Sequence, residues 1–236
     1  MIGNNWIALV LTFGLALGWL RLNDFLAHKG IIDGQLSRKI IHMGTGPIFV
    51  LCWLLFTNGA ESRYLAALVP FGITVQFALV GLGVMKDPEA VAAMSRSGDQ
   101  REILRGPLFY GIVFVILTLV YWKTSAIGIT ALMLLCGGDG LADIVGRRIR
   151  SPKLPWSTRK TLAGSLAVFA AGSIFAIFVL WIYHLAGALP GSLTADLLPI
   201  LLIAIAGTGV ESLPIQDIDN LTVPAVAVLL GHLLFK

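Results

Sequence analysis

LAGSLAVFAAGSIFAIFVLWIYHL, residues 162–185, contains no Asp, Glu, Lys or Arg. An apolar run of about 18 or more residues is long enough to cross the hydrocarbon core of a bilayer. This run is the longest of eight, the others lying at 2–20, 40–57, 64–85, 103–122, 125–145, 193–208 and 221–235. The last two are short, and the run at 125–145 ends in polar residues. In lipid each backbone N–H and C=O must bond within its own segment, which makes helices the expected form. The dyad alternation of a membrane barrel is absent.

Composition points the same way. Of 236 residues, 57% are apolar and 13% charged, about half the charge of a soluble domain. The expected fold is an all-α, polytopic transmembrane helical bundle of about 7–8 spans, forming a single integral membrane domain over 1–236. No Lys or Arg precedes the first run and no small-residue cleavage site follows it, so it reads as a span rather than a cleaved signal peptide. Cys52 and Cys136 both lie in apolar runs and read as packing residues, not as a disulfide or a thiolate metal site.

Charge orients the chain. Of the 17 Lys and Arg residues, all but Arg63, Lys123 and Lys236 fall in the loops after the first, third and fifth runs. Cytoplasmic loops carry this excess, so both termini are expected outside and the odd-numbered loops inside. The longest polar stretch, 86–105, predicts a short interfacial helix over 88–96, with Asp87 as N-cap before Pro88, and a break at 97–99.

The remaining polar residues gather on the predicted cytoplasmic side. Asp139 and Asp143 are four apart, which on a helix puts both carboxylates on one face. Two such acids repel unless a cation lies between them. Either they pair with Arg147 or Arg148, or they hold a divalent metal; Mg²⁺ takes one or two carboxylates plus phosphate oxygens and water. Gly137, Gly138 and Gly140 are expected to allow tight turns and close approach of a phosphate. Lys160-Thr161 directly precedes an apolar helix with Gly164 and Ser165 one turn in, and a helix N-terminus offers N–H groups to an anion. Arg38, Lys39 and His42 open the second run at spacings that bring them to one face; they read as phosphate contacts or, for His42, proton handling, or as ordinary helix-end residues. Glu211, Asp217, Asp219 and Asn220 lie in an inner loop without Lys or Arg, either solvated or completing a site. His28, His184 and His232 read as structural, and Trp122, Trp156 and Trp181 as interface anchors. Carboxylates for a metal, cations for phosphates and a membrane-surface location suit phosphoryl or nucleotidyl transfer to a lipid-dissolved acceptor.

Four stretches in order, Arg38-Lys39-Ile40-Ile41-His42, Gly138-Asp139-Gly140-Leu141-Ala142-Asp143-Ile144-Val145-Gly146-Arg147, Lys160-Thr161-Leu162-Ala163-Gly164-Ser165 and Asp219-Asn220-Leu221-Thr222-Val223-Pro224, resemble the motifs of the polyprenol kinase family. That family includes phytol, farnesol and dolichol kinases and is related to phosphatidate cytidylyltransferases. Lys153-Leu154-Pro155 and Ala163 liken the chain most to phytol kinases; the cytidylyltransferases typically carry Glu where Ala163 stands. The resemblance implies CTP as phosphoryl donor, Mg²⁺, and phytol or a similar isoprenoid alcohol as acceptor, giving phytyl phosphate for tocopherol synthesis. It implies metal binding by Asp139 and Asp143. Phosphate or nucleotide binding falls to Arg38, Lys39, His42, Arg147, Lys160, Thr161, Gly164, Ser165 and Asn220, and deprotonation of the alcohol to Asp217 or Asp219, so that Asp139, Asp143, Lys160 and Asp219 form the catalytic set. The expected partners are CTP, a lipid alcohol and membrane lipids, with no nucleic acid, and the expected setting is a plasma or thylakoid membrane with the site facing the cytoplasm. Alternatives are CTP:lipid-phosphate cytidylyl transfer, a kinase for dolichol, farnesol, diacylglycerol or phytyl phosphate, and a small ion-coupled transporter with Asp139 and Asp143 as ion ligands near a broken helix.

Overall fold

The computed structural model describes residues 2–95, 97–214 and 218–235. These form helices α1 (Asn5–His28), α2 (Gly34–Cys52), α3 (Ser62–Gly81), α4 (Pro88–Met94), α5 (Gly106–Val120), α6 (Ala126–Arg148), α7 (Leu162–Leu185), α8 (Leu193–Glu211) and α9 (Asp219–Leu234), with short 3-10 turns at Trp53–Leu55, Gln100–Leu104 and Trp122–Thr124. Among the described residues six helical segments are long and apolar enough to cross a membrane: Asn5–Asn23, Ser62–Gly81, Gln100–Val120, Ala126–Gly146, Leu162–Leu185 and Leu193–Glu211. The chain is an all-helical membrane protein. The expected seven to eight spans agree approximately: α9 is apolar but shorter, and the first turns of α2 carry Arg38, Lys39 and His42.

Helix starts follow their caps. Asp33 Oδ1 accepts from Leu36 N at 2.8 Å, Asp87 Oδ1 from Ala90 N at 2.9 Å and Thr161 Oγ1 from Gly164 N at 3.2 Å, each satisfying an N–H that has no partner within the helix. The helix expected after Asp87 is α4, with Pro88 in its first turn. Inside the apolar helices, hydroxyls turn back on their own backbone: Thr74 donates to Pro70 O at 2.6 Å and Thr118 to Phe114 O at 2.6 Å. That keeps polar side chains satisfied where no water reaches.

The chain divides into two compact units, Met1–Leu119 and Val120–Lys236. In the first, α1 packs on α2 and α3, and α4 lies against α2. Arg21 reaches Glu89 of α4 at 3.2 Å. In α5, Gly111 sits where a Cβ would strike Thr74 of α3.

In the second unit α6 and α7 cross antiparallel along a glycine seam. A Cβ on Gly137 would fall 2.8 Å from Ala171 O, one on Gly138 3.0 Å from Val168 Cγ1, and one on Gly146 3.7 Å from Gly164 Cα. Small residues of this kind let backbones approach closely in lipid. The expectation of a Gly-rich turn at 137–140 is therefore corrected: α6 is continuous from Ala126 to Arg148, because breaking it at this depth would expose backbone groups to hydrocarbon. Gly137 and Gly138 serve helix crossing, not loop formation. Trp122 also differs from its expected role as an interface anchor. It is buried, with a φ of 47°, whereas Trp156 and Trp181 are exposed as anchors would be. His184 and His232 each have a polar partner: His184 Nε2 lies 2.8 Å from Asp196 Oδ2 and His232 Nε2 lies 2.8 Å from Tyr121 OH.

Candidate active site

The antiparallel order of α6 to α9 brings the end of α6, the start of α7, the end of α8 and the start of α9 to one end of the second unit. Positions 139, 143 and 147 follow one another at single-turn intervals along α6. Asp143 is half-buried. The Cβ of a residue replacing Gly164 would lie 3.3 Å from Ala142 O, so the first turn of α7 lies directly against the stretch of α6 that carries Asp143.

The connection from α6 to α7 folds back on itself. Lys153 and Thr161 form an antiparallel bridge, Leu154 N donates to Lys160 O at 3.0 Å, and Ser157 Oγ accepts from Lys160 N at 3.1 Å. Trp156 Nε1 donates to Ser212 O at 3.1 Å, tying this loop to the end of α8. The result holds the Lys160 backbone in place. Its ammonium forms an ion pair with Glu211 Oε1 and donates to Glu211 O at 2.7 Å. The Glu211 side chain is 5% exposed and that of Lys160 28%. A buried carboxylate without a partner is costly, and this pairing gives Glu211 one while fixing the Lys160 side chain at the end of α8.

The first turn of α7 departs from expectation. Leu162 N donates to Pro152 O at 2.9 Å, Ala163 N to Ser151 Oγ at 3.0 Å and Gly164 N to Thr161 Oγ1 at 3.2 Å. The helix start therefore does not present these N–H groups to an anion. Any phosphate here meets side chains: the Lys160 ammonium, the half-buried Ser165, and the Thr161 hydroxyl, whose proton remains a donor while its oxygen accepts. Gly164 belongs to the α6–α7 contact.

Between α6, α7, α8 and α9 lies a narrow cleft with room for about one water molecule. Leu134, Leu135, Gly138, Val168 and Val223 make its walls, and Glu211, Asp219 and Asn220 its polar part. Asp219 opens α9 half-buried, its Oδ1 accepting from Asn220 N at 3.0 Å, and Asn220 is buried. Glu211, expected among the loop acids that are either solvated or complete a site, pairs with Lys160 instead of lying in solvent. Grouped with the following loop, it is in fact the last residue of α8, and its only sequence signal is that it is a carboxylate placed directly after an apolar run. Asp217 lies outside the described residues, as do the side chains of Asp139 and Arg147.

Arg38, Lys39 and His42 belong to the first unit. Arg38 Nη1 donates to Ser95 O at 3.4 Å, Lys39 is buried, and His42 stacks on Tyr110 with ring centroids 4.4 Å apart. Tyr110 OH donates to His42 O at 3.0 Å. Among the described residues no group of three or more His, Cys, Asp or Glu could hold a metal ion. Mg²⁺ does not need three, since two carboxylates with phosphate oxygens and water suffice. The acids at 139 and 143, one turn apart on α6, fit that donor set.

The chain is 42% identical over 223 residues to a probable phytol kinase 3, chloroplastic, of Glycine max, which covers 93% of this chain and 69% of the relative. It is 42% identical over 212 residues to a farnesol kinase, chloroplastic, of Arabidopsis thaliana, covering 89% and 69%. It is 35% identical over 230 residues to phytol kinase 1, chloroplastic, of the same plant, covering 97% and 76%. This chain belongs to the phytol kinase family. No family model matches it, and no solved structure does. Every motif stretch between Arg38 and Pro224 falls within a family likeness that extends over nearly the whole chain, so the cleft and the Lys160–Glu211 pair belong to a phytol kinase-like fold rather than to an appended segment.

Proposed function

We infer that this protein phosphorylates an isoprenoid alcohol, phytol first among them, using CTP as donor and Mg²⁺ as cofactor. The observation that carries the reading is the rim of the cleft in the second unit. There Glu211, which holds the Lys160 ammonium, lines the cleft with Asp219 and Asn220 beside apolar walls. Such an arrangement places positive charge for a phosphoryl group close to apolar surface, and the names of the relatives support the reaction class.

In the reaction the alcohol oxygen bonds to the γ-phosphorus of CTP as the bond to the β-phosphate oxygen breaks. CDP leaves, and the hydroxyl proton passes to Asp219. Lys160, Thr161, Ser165 and Asn220 orient the transferring phosphoryl group, and Arg147 neutralises phosphate charge. Phosphate binding by Arg38, Lys39 and His42 of the first unit rests on the motif resemblance alone. Asp139 and Asp143 would hold Mg²⁺, which would neutralise charge on the triphosphate. Positioning and charge neutralisation supply most of the catalysis in this chemistry. Gly164 acts by letting α7 lie close to α6.

The loops carrying most of the Lys and Arg support a cytoplasmic site in a plasma or thylakoid membrane. The test is transfer from CTP labelled in its γ-phosphate to phytol by the purified protein. Labelled phytyl phosphate and CDP are expected. Release of pyrophosphate with a cytidylylated lipid would instead mean cytidylyl transfer.

A further inference from the structure

The three loops that carry most of the Lys and Arg differ in what else they hold. Residues 21–39 have four cations and two acids, 82–105 four and four, and 147–160 six cations and no acid. No Asp or Glu occurs anywhere between 144 and 195. Orientation in the membrane does not require this, because Asp and Glu contribute little to the positive-inside bias. Attraction to an anionic leaflet does follow net charge, and each Lys or Arg near the surface adds to it.

The geometry of the loop suits the same partner. Arg148, Arg150, Lys153 and Arg159 are all exposed. Among them stand two large apolar side chains, Ile149 at 53% exposure and Trp156 at 54%. The one polar atom of the Trp156 side chain, Nε1, already donates to Ser212 O at 3.1 Å. What the indole exposes is therefore hydrocarbon, with no further hydrogen bond to offer water. Cations interspersed with bare apolar groups match a headgroup layer, where phosphates lie beside the first acyl carbons. The loop is held in this form by the Lys153–Thr161 bridge. It is also fastened to the end of α8, through Trp156 on Ser212 and Lys160 on Glu211.

We propose that residues 148–159 form a seat for anionic phospholipid. The four exposed cations take headgroup phosphates, and Ile149 and Trp156 enter the interface beside them. The lipid is a constituent of the surrounding leaflet and not the acceptor alcohol, so the seat stands or falls apart from the kinase reading.

The test places the intact protein in nanodiscs of equal parts phosphatidylcholine and phosphatidylglycerol, with brominated acyl chains on one lipid or on the other. Bromine quenches indole emission on contact, and the share due to Trp156 is the difference between wild type and Trp156→Phe. The expected result is Trp156 quenching at least about twofold stronger when phosphatidylglycerol carries the bromine. In Arg150→Gln/Lys153→Gln the two lipids should quench nearly alike. The comparison of total quenching in wild type and the double variant needs no tryptophan substitution, so it decides the matter even if Trp156→Phe does not fold. Quenching of Trp156 by neither lipid would put the loop in water. Equal quenching by both in the wild type would show no choice of headgroup, and an undiminished preference in the double variant would show that these cations do not hold the lipid. Each of these results overturns the inference. Binding of labelled CTP is measured alongside: equal affinity in wild type and double variant is expected, and weaker binding by the variant would assign the cations to the nucleotide and overturn it as well.

Discussion

Lys160 and Glu211, far apart in the chain, are joined twice: the ammonium pairs with the carboxylate and also donates to the Glu211 carbonyl at 2.7 Å. The start of α7 is thereby tied to the end of α8, and the only covalent path between them runs through two helices. Trp156, four positions before Lys160, repeats the tie by reaching Ser212 O at 3.1 Å.

Removing one partner leaves the other charged and poorly solvated. For a fully buried pair that costs about 3–5 kcal/mol. Lys160 is partly exposed, so Lys160→Met, which strands the buried Glu211, should cost more than Glu211→Leu, about 2–3 kcal/mol against about 1 kcal/mol. Melting in detergent should order the variants accordingly. The double variant Lys160→Met/Glu211→Leu should regain most of the lost Tm without regaining turnover, because the phosphate-binding ammonium is gone. A double variant no more stable than Lys160→Met would show that the pair is not the source of the loss.

The glycine seam predicts a second ordering. A Cβ at position 137 meets the backbone oxygen of Ala171 at 2.8 Å, whereas one at 138 meets a side-chain methyl of Val168 at 3.0 Å. A methyl can give way more readily than a backbone. Gly137→Ala should therefore lower Tm more than Gly138→Ala, with overpacking costs of about 1–3 kcal/mol for the former. The reverse order would contradict the observed crossing.

Much of this was legible from residue order, and the rest was not, for physical reasons. Helix starts at Asp87-Pro88 and Lys160-Thr161 depend on bonds within four residues, so local pattern is enough to find them. The spans depend on length and apolarity alone. The pairing of Glu211 with Lys160 was not legible because the two are 51 positions apart, and no local spacing records such a contact. The glycines at 137 and 138 were read as turn formers because a Gly pair carries the same letters whether it bends a chain or admits a neighbouring helix. Only the presence of α7 decides between the two. The α7 N–H groups were expected to meet an anion, but Ser151 and Pro152 take two of them, which the order of residues does not reveal.

At the opposite end of the second unit, Lys123 sits in the 3-10 turn between α5 and α6, outside the six spanning segments and 4% exposed. Burial pushes its ammonium below the ordinary value of 10.5. Between the lowered folded value and 10.5 the unfolded chain binds more protons, so this group makes stability rise with pH across that window. Lys123→Met should accordingly raise Tm at neutral pH, and the gain should shrink as pH is raised toward 10.5. A gain that grows with pH would reverse the sign and refute the burial argument.

His184 and Asp196 close the α7–α8 connection at 2.8 Å, also at the end away from the cleft. His184→Gln should lower Tm by the loss of a partly buried pair, about 1 kcal/mol, and leave turnover and both KM values unaltered. A fall in turnover at unchanged stability would place this pair in the chemistry.

The central claim is that the acids on α6 hold the metal for phosphoryl transfer at the end of the unit where Lys160 meets Glu211. It is tested most directly by turnover of phytol with γ-labelled CTP in the wild type, Asp139→Asn and Asp143→Asn, across a Mg²⁺ titration. The account predicts Mg²⁺-dependent labelling of phytyl phosphate by the wild type and a loss of at least about 100-fold in each variant. Undiminished turnover in either variant, or wild-type activity indifferent to Mg²⁺, would contradict it.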